Sequence, residues 1–254
     1  MKIRINSLYK TFRLPGGKPM EIIGKIDLNI KEGDFVIILG ESGCGKSTLL
    51  SMIAGLMPLT SGEIRVDDEK VVSPHPSRSI LFQQSSLLPW LNVEDNITFG
   101  CKLREDMDNL QFRVNQLIEI MGLSGSEKVH PPELSVGMAQ RVCLARALIG
   151  HPEILLMDEP FAALDTFNRQ HLQEELIEFW QIENFTAIFV THDIDEAILM
   201  GNRIVLLGGR PCRIMEVFDV DLNYPRKMTD KAFFKIRSSI LTKFRESLVN
   251  NNTF

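Results

Sequence analysis

Apolar and polar positions alternate along the chain in a way that predicts strands followed by helices. Three short apolar runs without charges are typical of buried central strands. They are residues 35–39, 154–157 and 187–190. The stretches with helical spacing that follow them lie at 46–56, at 166–182 and from about Asp193. Because strands that alternate with helices pair in parallel, this pattern predicts an α/β fold with a mostly parallel sheet covered on both faces.

The beginning and the end of the chain carry different patterns. Runs at 3–6 and 22–30 predict an antiparallel flap of two strands, which the turn-forming residues Pro15, Gly16 and Gly17 separate. Near the C-terminus, apolar residues at helical spacing predict an amphipathic helix at about 229–249. Its apolar positions are Phe233, Ile236, Ile240, Phe244 and Leu248.

The middle of the chain has helical patterns and little that indicates a strand. The stretch 93–150 contains these patterns, and Pro131 and Pro132 interrupt them. We therefore expect a helical lobe at about 85–150, inserted into the α/β core. With 254 residues, of which 44% are hydrophobic and 24% charged, the chain is long enough to form one domain over 1–254.

Charge and cysteine content exclude several classes of protein. The net charge of -5 argues against nucleic acid as the main partner, because duplex binding depends on Lys and Arg. The four cysteines are scattered with no C-x-x-C pair, which suggests neither a disulfide framework nor a zinc site. No run reaches the roughly 18 apolar residues of a membrane helix, and charges occupy the first ten residues where a signal peptide needs an apolar run. We therefore expect any membrane contact to go through a partner.

A glycine-rich segment lies between the first predicted central strand and its helix. It reads Gly40, Glu41, Ser42, Gly43, Cys44, Gly45, Lys46 and Ser47, and Thr48 continues it into the helix. Glycines let successive N–H groups surround phosphate oxygens, and a helix N-terminus adds a positive dipole. Lys46 is suited to reach the β and γ phosphates and Ser47 to ligate Mg²⁺, so the segment predicts a nucleotide-binding phosphate loop.

Two adjacent acids end the second predicted central strand. Asp158 is suited to hold the Mg²⁺, and Glu159 to orient or deprotonate the attacking water. Alone, such a pair is often a strand that meets a solvated loop. Together with the phosphate loop, it predicts a hydrolytic centre.

A further segment distinguishes among GTPases, kinases, helicases and transporters. It reads Leu134, Ser135, Val136, Gly137, Met138, Ala139, Gln140 and Arg141. Physically it is a second helix N-terminus, where Ser135 can cap the helix and Gly137 permits close approach. The segment resembles the signature of ABC ATP-binding cassettes. This resemblance implies a P-loop NTPase core of ABC type, in which two chains sandwich two ATP molecules and Leu134 to Met138 of one chain face the γ phosphate bound by the other.

The resemblance implies roles for residues along nearly the whole chain. Phe12 matches the aromatic residue that stacks on adenine, and Gln83 matches the glutamine that touches Mg²⁺ and the water. Asp165 lies in the loop that crosses the dimer interface, and His192 matches the histidine that contacts the γ phosphate. Without the resemblance, an aromatic residue near a strand end or a single histidine after a strand would more often be structural.

Two positions in these motifs carry residues that the family pattern does not fix. Val136 stands where the ABC family usually has glycine, and a β-branched residue tolerates positive φ poorly. Slower turnover or a looser dimer would follow, without loss of function. Cys44 occupies a variable position of the phosphate loop, where a small filler is a better interpretation than redox control, although alkylation there would block ATP sterically.

Three kinds of ABC protein carry such motifs: a transporter motor, a soluble ABC ATPase not tied to transport, and a binding module without hydrolysis. The last is disfavoured because Lys46, Asp158, Glu159 and His192 are all present. The segments 81–96 and 221–226 resemble nitrate, sulfonate and taurine importers. That resemblance implies a homodimeric motor subunit at the cytoplasmic face of the membrane, bound to integral permease subunits and indirectly to a solute-binding protein.

An apolar cluster after Gln83 has two interpretations. Leu87, Leu88, Trp90 and Leu91 either pack the joint between two lobes or form a groove on the surface. Composition leaves these equal. The family resemblance favours the groove, because in ABC importers it receives a short helix of the membrane subunit.

Overall fold

The computed structural model describes residues 1–13 and 16–251, with side chains described up to Glu246. Pro15 of the predicted turn and the side chain of Leu248 lie outside the described residues. The chain divides into two compact units. The first contains Met1–His75 and Thr186–Phe254, and the second contains Pro76–Phe185.

Strands and helices follow one another over both units. In chain order they are β1 (Ile3–Arg13), β2 (Pro19–Ile30), β3 (Phe35–Leu39), α1 (Lys46–Ile53), β4 (Ser61–Val66), β5 (Glu69–Lys70), β6 (Arg78–Leu81), α2 (Val93–Leu103), α3 (Leu110–Ile120), α4 (Val136–Leu148), β7 (Ile154–Asp158), α5 (Thr166–Glu183), β8 (Thr186–Thr191), α6 (Ile194–Met200), β9 (Arg203–Gly208), β10 (Arg213–Asp219) and α7 (Lys231–Asn251). A short 3₁₀ turn, Pro131–Glu133, precedes α4.

The first unit contains an antiparallel sheet in the order β2-β1-β4-β5, which confirms the predicted flap and extends it. The first strand runs to Arg13, beyond the predicted end at Asn6. At Ser7 the backbone has a φ of 45°, and the pairing with β2 shifts register between Ile5 and Leu8. This irregularity breaks the alternation of apolar and polar residues, which is why the sequence pattern ended there.

The predicted central strands of the first unit pair in parallel around β3. Its five residues are buried, and β8 and β9 pair with it on either side in parallel. Strand β10 then pairs antiparallel with β9. Phe35 of β3 and Phe189 of β8 bring their ring centroids to 6.2 Å. Strands buried on both faces leave no place for charges, and this accounts for the uncharged runs in the sequence.

The segment 221–226, which resembles the tails of importers, contacts the C-terminal end of helix α6. The hydroxyl of Tyr224 donates to the Met200 carbonyl at 2.5 Å. The guanidinium of Arg226 donates to the carbonyls of Ile198 and Gly201, both at 2.6 Å, and lies 4.1 Å from the centroid of the Tyr224 ring. Burial raises the pKa of Tyr224 to about 12. These contacts satisfy carbonyls that the end of a helix leaves without partners.

The second unit contains the predicted helical region and two parallel strands. Helices α2, α3 and α4 lie within the expected 85–150 stretch, and β6 pairs in parallel with β7. Helix α5 begins at Thr166, as predicted, and ends one residue later than predicted.

Some predicted bounds were wrong for reasons that lie outside the apolar pattern. Helix α1 ends at Ile53 rather than at 56. Gly55 follows with a φ of 79°, and a Cβ there would lie 2.3 Å from the Ser73 carbonyl oxygen. The chain must therefore turn at this glycine. Strands β4, β5, β9 and β10 were not predicted.

Within the described residues, no helix is both long enough and apolar enough to cross a membrane.

One buried side chain fixes the loop that precedes α2. Asn96 is fully buried, and its amide group donates to the carbonyls of Leu88, Leu91 and Asn92 at 2.9–3.1 Å. Its amide oxygen accepts from the Leu88 N–H at 2.8 Å. A single residue therefore satisfies four backbone groups and holds the loop closed around itself.

We predict that Asn96→Ala lowers the free energy of unfolding by about 2–3 kcal/mol, because the Leu88 N–H and the Leu91 carbonyl lose the Asn96 side chain as their partner. Asn115→Ala is the matched control. That asparagine is exposed and accepts one hydrogen bond from Gln111, so its loss should change stability by less than about 0.5 kcal/mol. Urea denaturation of the two variants and the parent measures the difference, and equal losses would contradict the role assigned to Asn96.

Candidate functional site

The glycine-rich segment forms a tight turn between β3 and α1. Gly43 and Gly45 have φ values of 76° and 110°, which side chains rarely adopt. The ammonium group of Lys46 is buried and donates to the carbonyls of Gly40 at 2.9 Å and Glu41 at 2.8 Å. The lysine thus sits within the turn, with its charge next to the loop backbone.

Close packing explains two further glycine positions. A Cβ on Gly40 would lie 2.8 Å from the Leu207 carbonyl oxygen, and a Cβ on Gly45 would lie 3.2 Å from Ile22. Ser42, Gly43 and Ser47 are exposed, whereas Glu41 and Thr48 are half-buried. The loop is therefore held from below and open to solvent at its tip and at the N-terminus of α1, where anions bind favourably.

Parallel pairing places His192 at the same end of the sheet as this loop. Leu39, the last residue of β3, is paired with Thr191, the last residue of β8. The residues that follow, Gly40 and His192, therefore leave the same edge. His192 is exposed, and the Thr191 hydroxyl next to it donates to the buried Glu196 carboxylate and accepts from the Asp193 N–H.

Phe12, the predicted adenine contact, lies near the end of β1. Its side chain is 36% exposed, and the ammonium group of Lys10 lies 4.8 Å from the ring centroid. The ring is therefore accessible rather than a core residue, as a stacking role would require.

In the second unit, parallel strand pairing brings three other predicted residues to one edge. Leu81 of β6 is paired with Met157 of β7, so Gln83 follows one strand where Glu159 follows the other. Gln83 is exposed, and Asp158 and Glu159 are half-buried. Glu159 has a φ of 45°, a left-handed conformation that costs free energy in a residue other than glycine.

Helix α4 begins at the predicted signature segment. Ser135 is its N-cap, and the Ser135 hydroxyl accepts from the Met138 N–H at 3.2 Å, which confirms the predicted cap. Val136 is the first helical residue and 60% exposed. The expected strain from positive φ was therefore wrong, because Val136 has the right-handed conformation that suits a β-branched residue.

The comparisons with known proteins agree on one family. The family described as ABC transporter matches residues 23–162. The aliphatic sulfonates import ATP-binding protein SsuB of Bacillus thuringiensis subsp. konkukian (strain 97-27) is 43% identical over 244 residues, which are 96% of each chain. The chain belongs to the ABC transporter family.

Other members of the family are similar over most of this chain. The SsuB protein of Bacillus subtilis (strain 168) is 42% identical over 97% of it. The bicarbonate transport ATP-binding protein CmpC of Synechococcus elongatus (strain ATCC 33912 / PCC 7942 / FACHB-805) is 40% identical over 94% of it, which is 37% of the CmpC chain. The dimeric post-hydrolysis structure of the ATP-binding cassette MJ0796, bound to ADP and Pi, matches with a TM-score of 0.77 at 28% identity. That match covers 87% of this chain and all of the other.

Two contacts that the sequence did not reveal tie the signature helix of this ABC chain to the segment after β7. The side chain of Gln140 is buried on α4 and donates to the Pro160 carbonyl, next to Glu159. Gly137 lies under Leu164, whose methyl group would be 3.8 Å from an added Cβ. Gln140 was visible only as part of the signature pattern, because no spacing rule pairs a helix position with a distant loop.

Asp165 has a local role in addition to the one its motif implied. It is the N-cap of α5, and its carboxylate accepts from the N–H groups of Phe167 and Asn168 and from the Asn168 side chain. The Asn168 hydrogen bonds lower the pKa of this exposed carboxyl below its usual value. Capping fixes the direction in which the loop enters α5.

The predicted residues are thus distributed between the two units. The first unit brings together His192 and the whole phosphate loop, and it also carries Phe12. The second unit brings together Gln83, Asp158 and Glu159, and it also carries the signature residues and Asp165.

Proposed function

We propose that this chain is the ATP-hydrolysing motor subunit of an importer, which drives uptake of a small solute such as nitrate, sulfonate or taurine through a separate membrane permease. The phosphate loop carries the proposal, because its glycine conformations and its buried lysine suit a polyphosphate and little else. Two relatives are named for the import of aliphatic sulfonates and the transport of bicarbonate. These names support a role in the uptake of small solutes.

ATP binding is assigned to the first unit. Backbone N–H groups of 40–48 and the N-terminus of α1 would surround the phosphates, and Lys46 would neutralise the β and γ phosphates. Phe12 would stack on the adenine with its accessible ring. His192 would contact the γ phosphate from the edge that it shares with Gly40.

Magnesium binding is assigned to oxygen donors only. The Ser47 hydroxyl is exposed, the Gln83 amide is exposed and the Asp158 carboxylate is half-buried, and Mg²⁺ prefers such hard ligands together with phosphate oxygens. When bound, Mg²⁺ neutralises charge that develops on the β and γ phosphates.

Hydrolysis is assigned to the acid after β7. The Glu159 carboxylate would accept a proton from the attacking water, and Gln83, at the same edge of the β6–β7 pair, would orient that water. The left-handed backbone at Glu159 turns the chain directly after Asp158. This turn would separate the carboxylate that binds Mg²⁺, Asp158, from the carboxylate that accepts the proton, Glu159.

Two chains are needed to complete each site in this proposal. Leu134 to Met138 would face the γ phosphate held by a second copy, with Asp165 in the loop that crosses the interface. Ser42, Ser135 and Val136 are exposed, as contacts for a second copy must be. The solved relatives include dimeric cassettes, which supports the pairing of two copies, and we propose that they pair head to tail.

Permease binding is assigned to the loop held by Asn96. Trp90 is 69% exposed, which favours a surface contact over a core role, whereas the neighbouring Leu87, Leu88 and Leu91 are half-buried. An exposed tryptophan on a rigid loop is typical of an interface anchor. The chain would then lie at the cytoplasmic face of the membrane, with a solute-binding protein engaged indirectly through the permease.

We predict that Glu159→Gln lowers ATP turnover by about 10² to 10⁴, the range for loss of a general base, and leaves ATP binding intact. Glu153→Gln, an exposed glutamate just before β7, is the control and should keep normal turnover. Steady-state phosphate release and equilibrium binding of a fluorescent ATP analogue separate the two effects. Turnover of Glu159→Gln within a few-fold of the parent would rule out the assignment.

We predict that Ser135→Asp abolishes ATP turnover without unfolding, because aspartate retains the N-cap but places a negative charge near phosphate. Ser135→Asn has the same shape without the charge and should retain at least about tenfold more activity.

Mixing two inactive variants tests whether the sites are shared. A head-to-tail dimer of Ser135→Asp with Glu159→Gln contains one intact site, so a 1:1 mixture should recover up to about one quarter of the parent turnover. If no mixing ratio restores activity, the signature does not act across the interface.

We predict that Trp90→Ala impairs co-purification with the permease and uncouples transport, while the melting temperature changes by less than about 2 °C. Ile182→Ala, another exposed apolar residue of the second unit, is the control and should leave co-purification unchanged. A large drop in melting temperature with normal co-purification would make Trp90 a core residue.

A further inference from the structure

Strand β2 brings two cysteines that are far apart in sequence close to each other at the phosphate loop. Cys44 and Cys212 are both free thiols of the first unit, 8% and 1% exposed, and each thiol shifts the pKa of the other. Cys44 lies between the two left-handed glycines of the loop, and its Sγ would be 3.1 Å from a Cβ on Gly40. The thiol is therefore part of the packing that shapes the loop.

The position of Cys212 is fixed by backbone pairing with β2. Its N–H donates to the Ile22 carbonyl at 2.9 Å, and its carbonyl accepts from the Gly24 N–H at 2.8 Å. Gly45 packs against the same two residues of β2, since a Cβ there would lie 3.2 Å from Ile22 and 3.3 Å from Ile23. Both Cys212 and the loop next to Cys44 therefore pack against strand β2, which fixes the position of one thiol relative to the other.

The two thiols differ in acidity. The neighbouring Cys212 thiol and the charge of Lys46 lower the pKa of Cys44 to about 7. The neighbouring Cys44 thiol and burial raise the pKa of Cys212 above its usual value. Cys44 is therefore the more nucleophilic thiolate near neutral pH, and Cys212 retains the proton.

We propose that Cys44 and Cys212 form a redox pair, which hydrogen peroxide converts to a disulfide that weakens nucleotide binding. This inference rests on the proposed function for its effect on ATP, and on the thiol geometry alone for the disulfide.

The chemistry balances with peroxide as the oxidant. The Cys44 thiolate attacks one peroxide oxygen, the O–O bond breaks, and Cys44 becomes a sulfenic acid while hydroxide leaves. The Cys212 sulfur then attacks the Cys44 sulfur, the S–O bond breaks, and the Cys212 proton leaves with the hydroxyl group as water. Two thiols and one peroxide thus give one disulfide and two waters.

A disulfide would change the shape of the loop. It joins its sulfurs at about 2.05 Å, closer than two sulfurs that are not bonded to each other can approach. Because Cys212 is held on both sides by β2, the loop residue Cys44 must move more than Cys212. Its N–H and that of Gly45 belong to the proposed phosphate cradle. Loss of a single hydrogen bond to a charged group lowers affinity by about tenfold or more.

The first experiment treats the full chain with hydrogen peroxide, removes the excess with catalase, and maps peptides without reduction. We expect a peptide linked through Cys44 and Cys212, and an ATP affinity at least about tenfold weaker that dithiothreitol restores. The rate of linkage should rise between about pH 6 and 8 and level off above, because the thiolate is present above the lowered Cys44 pKa. Cys101→Ser, at a buried cysteine of the second unit, should respond as the parent does.

A second experiment identifies the order of the steps. Cys212→Ser should bind ATP normally when reduced, form no linked peptide, and leave Cys44 as a sulfenic acid that dimedone labels. Cys212→Ala serves the same purpose if the serine variant does not fold. The opposite result would be dimedone labelling of Cys212 in a Cys44→Ser variant, together with no labelling of Cys44 in Cys212→Ser. That result would reverse the proposed order and overturn the mechanism.

The outcomes separate this inference from the proposed function. No linked peptide from the parent overturns the redox pair, and a linked peptide with unchanged ATP affinity overturns its regulatory effect. Failure of the reduced parent to bind ATP would instead reject the proposed function, and with it the effect on nucleotide.

Discussion

Parallel strand pairing is the constraint on which the candidate site depends. Neighbouring parallel strands end at the same edge of a sheet, so the residues that follow each strand lie close together. The pairing of β3 with β8 brings together Gly40 and His192, and the pairing of β6 with β7 brings together Gln83 and Glu159. Residues separated by more than seventy positions in the chain become neighbours through backbone hydrogen bonds alone.

Polar side chains then fix the loops at these edges. Ser135, Asp165 and Asp193 cap the helices that begin near predicted functional residues, and each cap satisfies N–H groups that a helix start leaves without partners. Asn96 and Gln140 act over longer range by closing one loop and tying another to α4. Motif residues at helix starts therefore have structural roles alongside the chemical roles proposed for them.

The phosphate loop combines close packing with a thiol of lowered pKa. Gly40 and Gly45 are required by close approach to Leu207 and Ile22, so a shift of the loop would disturb these contacts. Cys44 lies in the middle of this packing, and its partner is Cys212, the residue before β10. The interpretation of Cys44 as a small filler described its size correctly, but sequence gave no sign of the second thiol.

The sequence by itself determined the α/β class, the three uncharged central strands, the helices between 93 and 150 and the family, because burial on both faces and phosphate chemistry each restrict residue types locally. Only the tertiary structure decided the extent of β1, the conformation of Val136, the exposure of Trp90, and the contacts of Gln140 and Cys212. The extent of β1 and the contacts of Gln140 and Cys212 depend on partners distant in the chain, and hydrophobic periodicity carries no information about which distant backbone or side chain will lie opposite a residue. The conformation of Val136 and the exposure of Trp90 depend on nearer polar contacts, the Ser135 cap and the Asn96 side chain, which apolar periodicity does not register either.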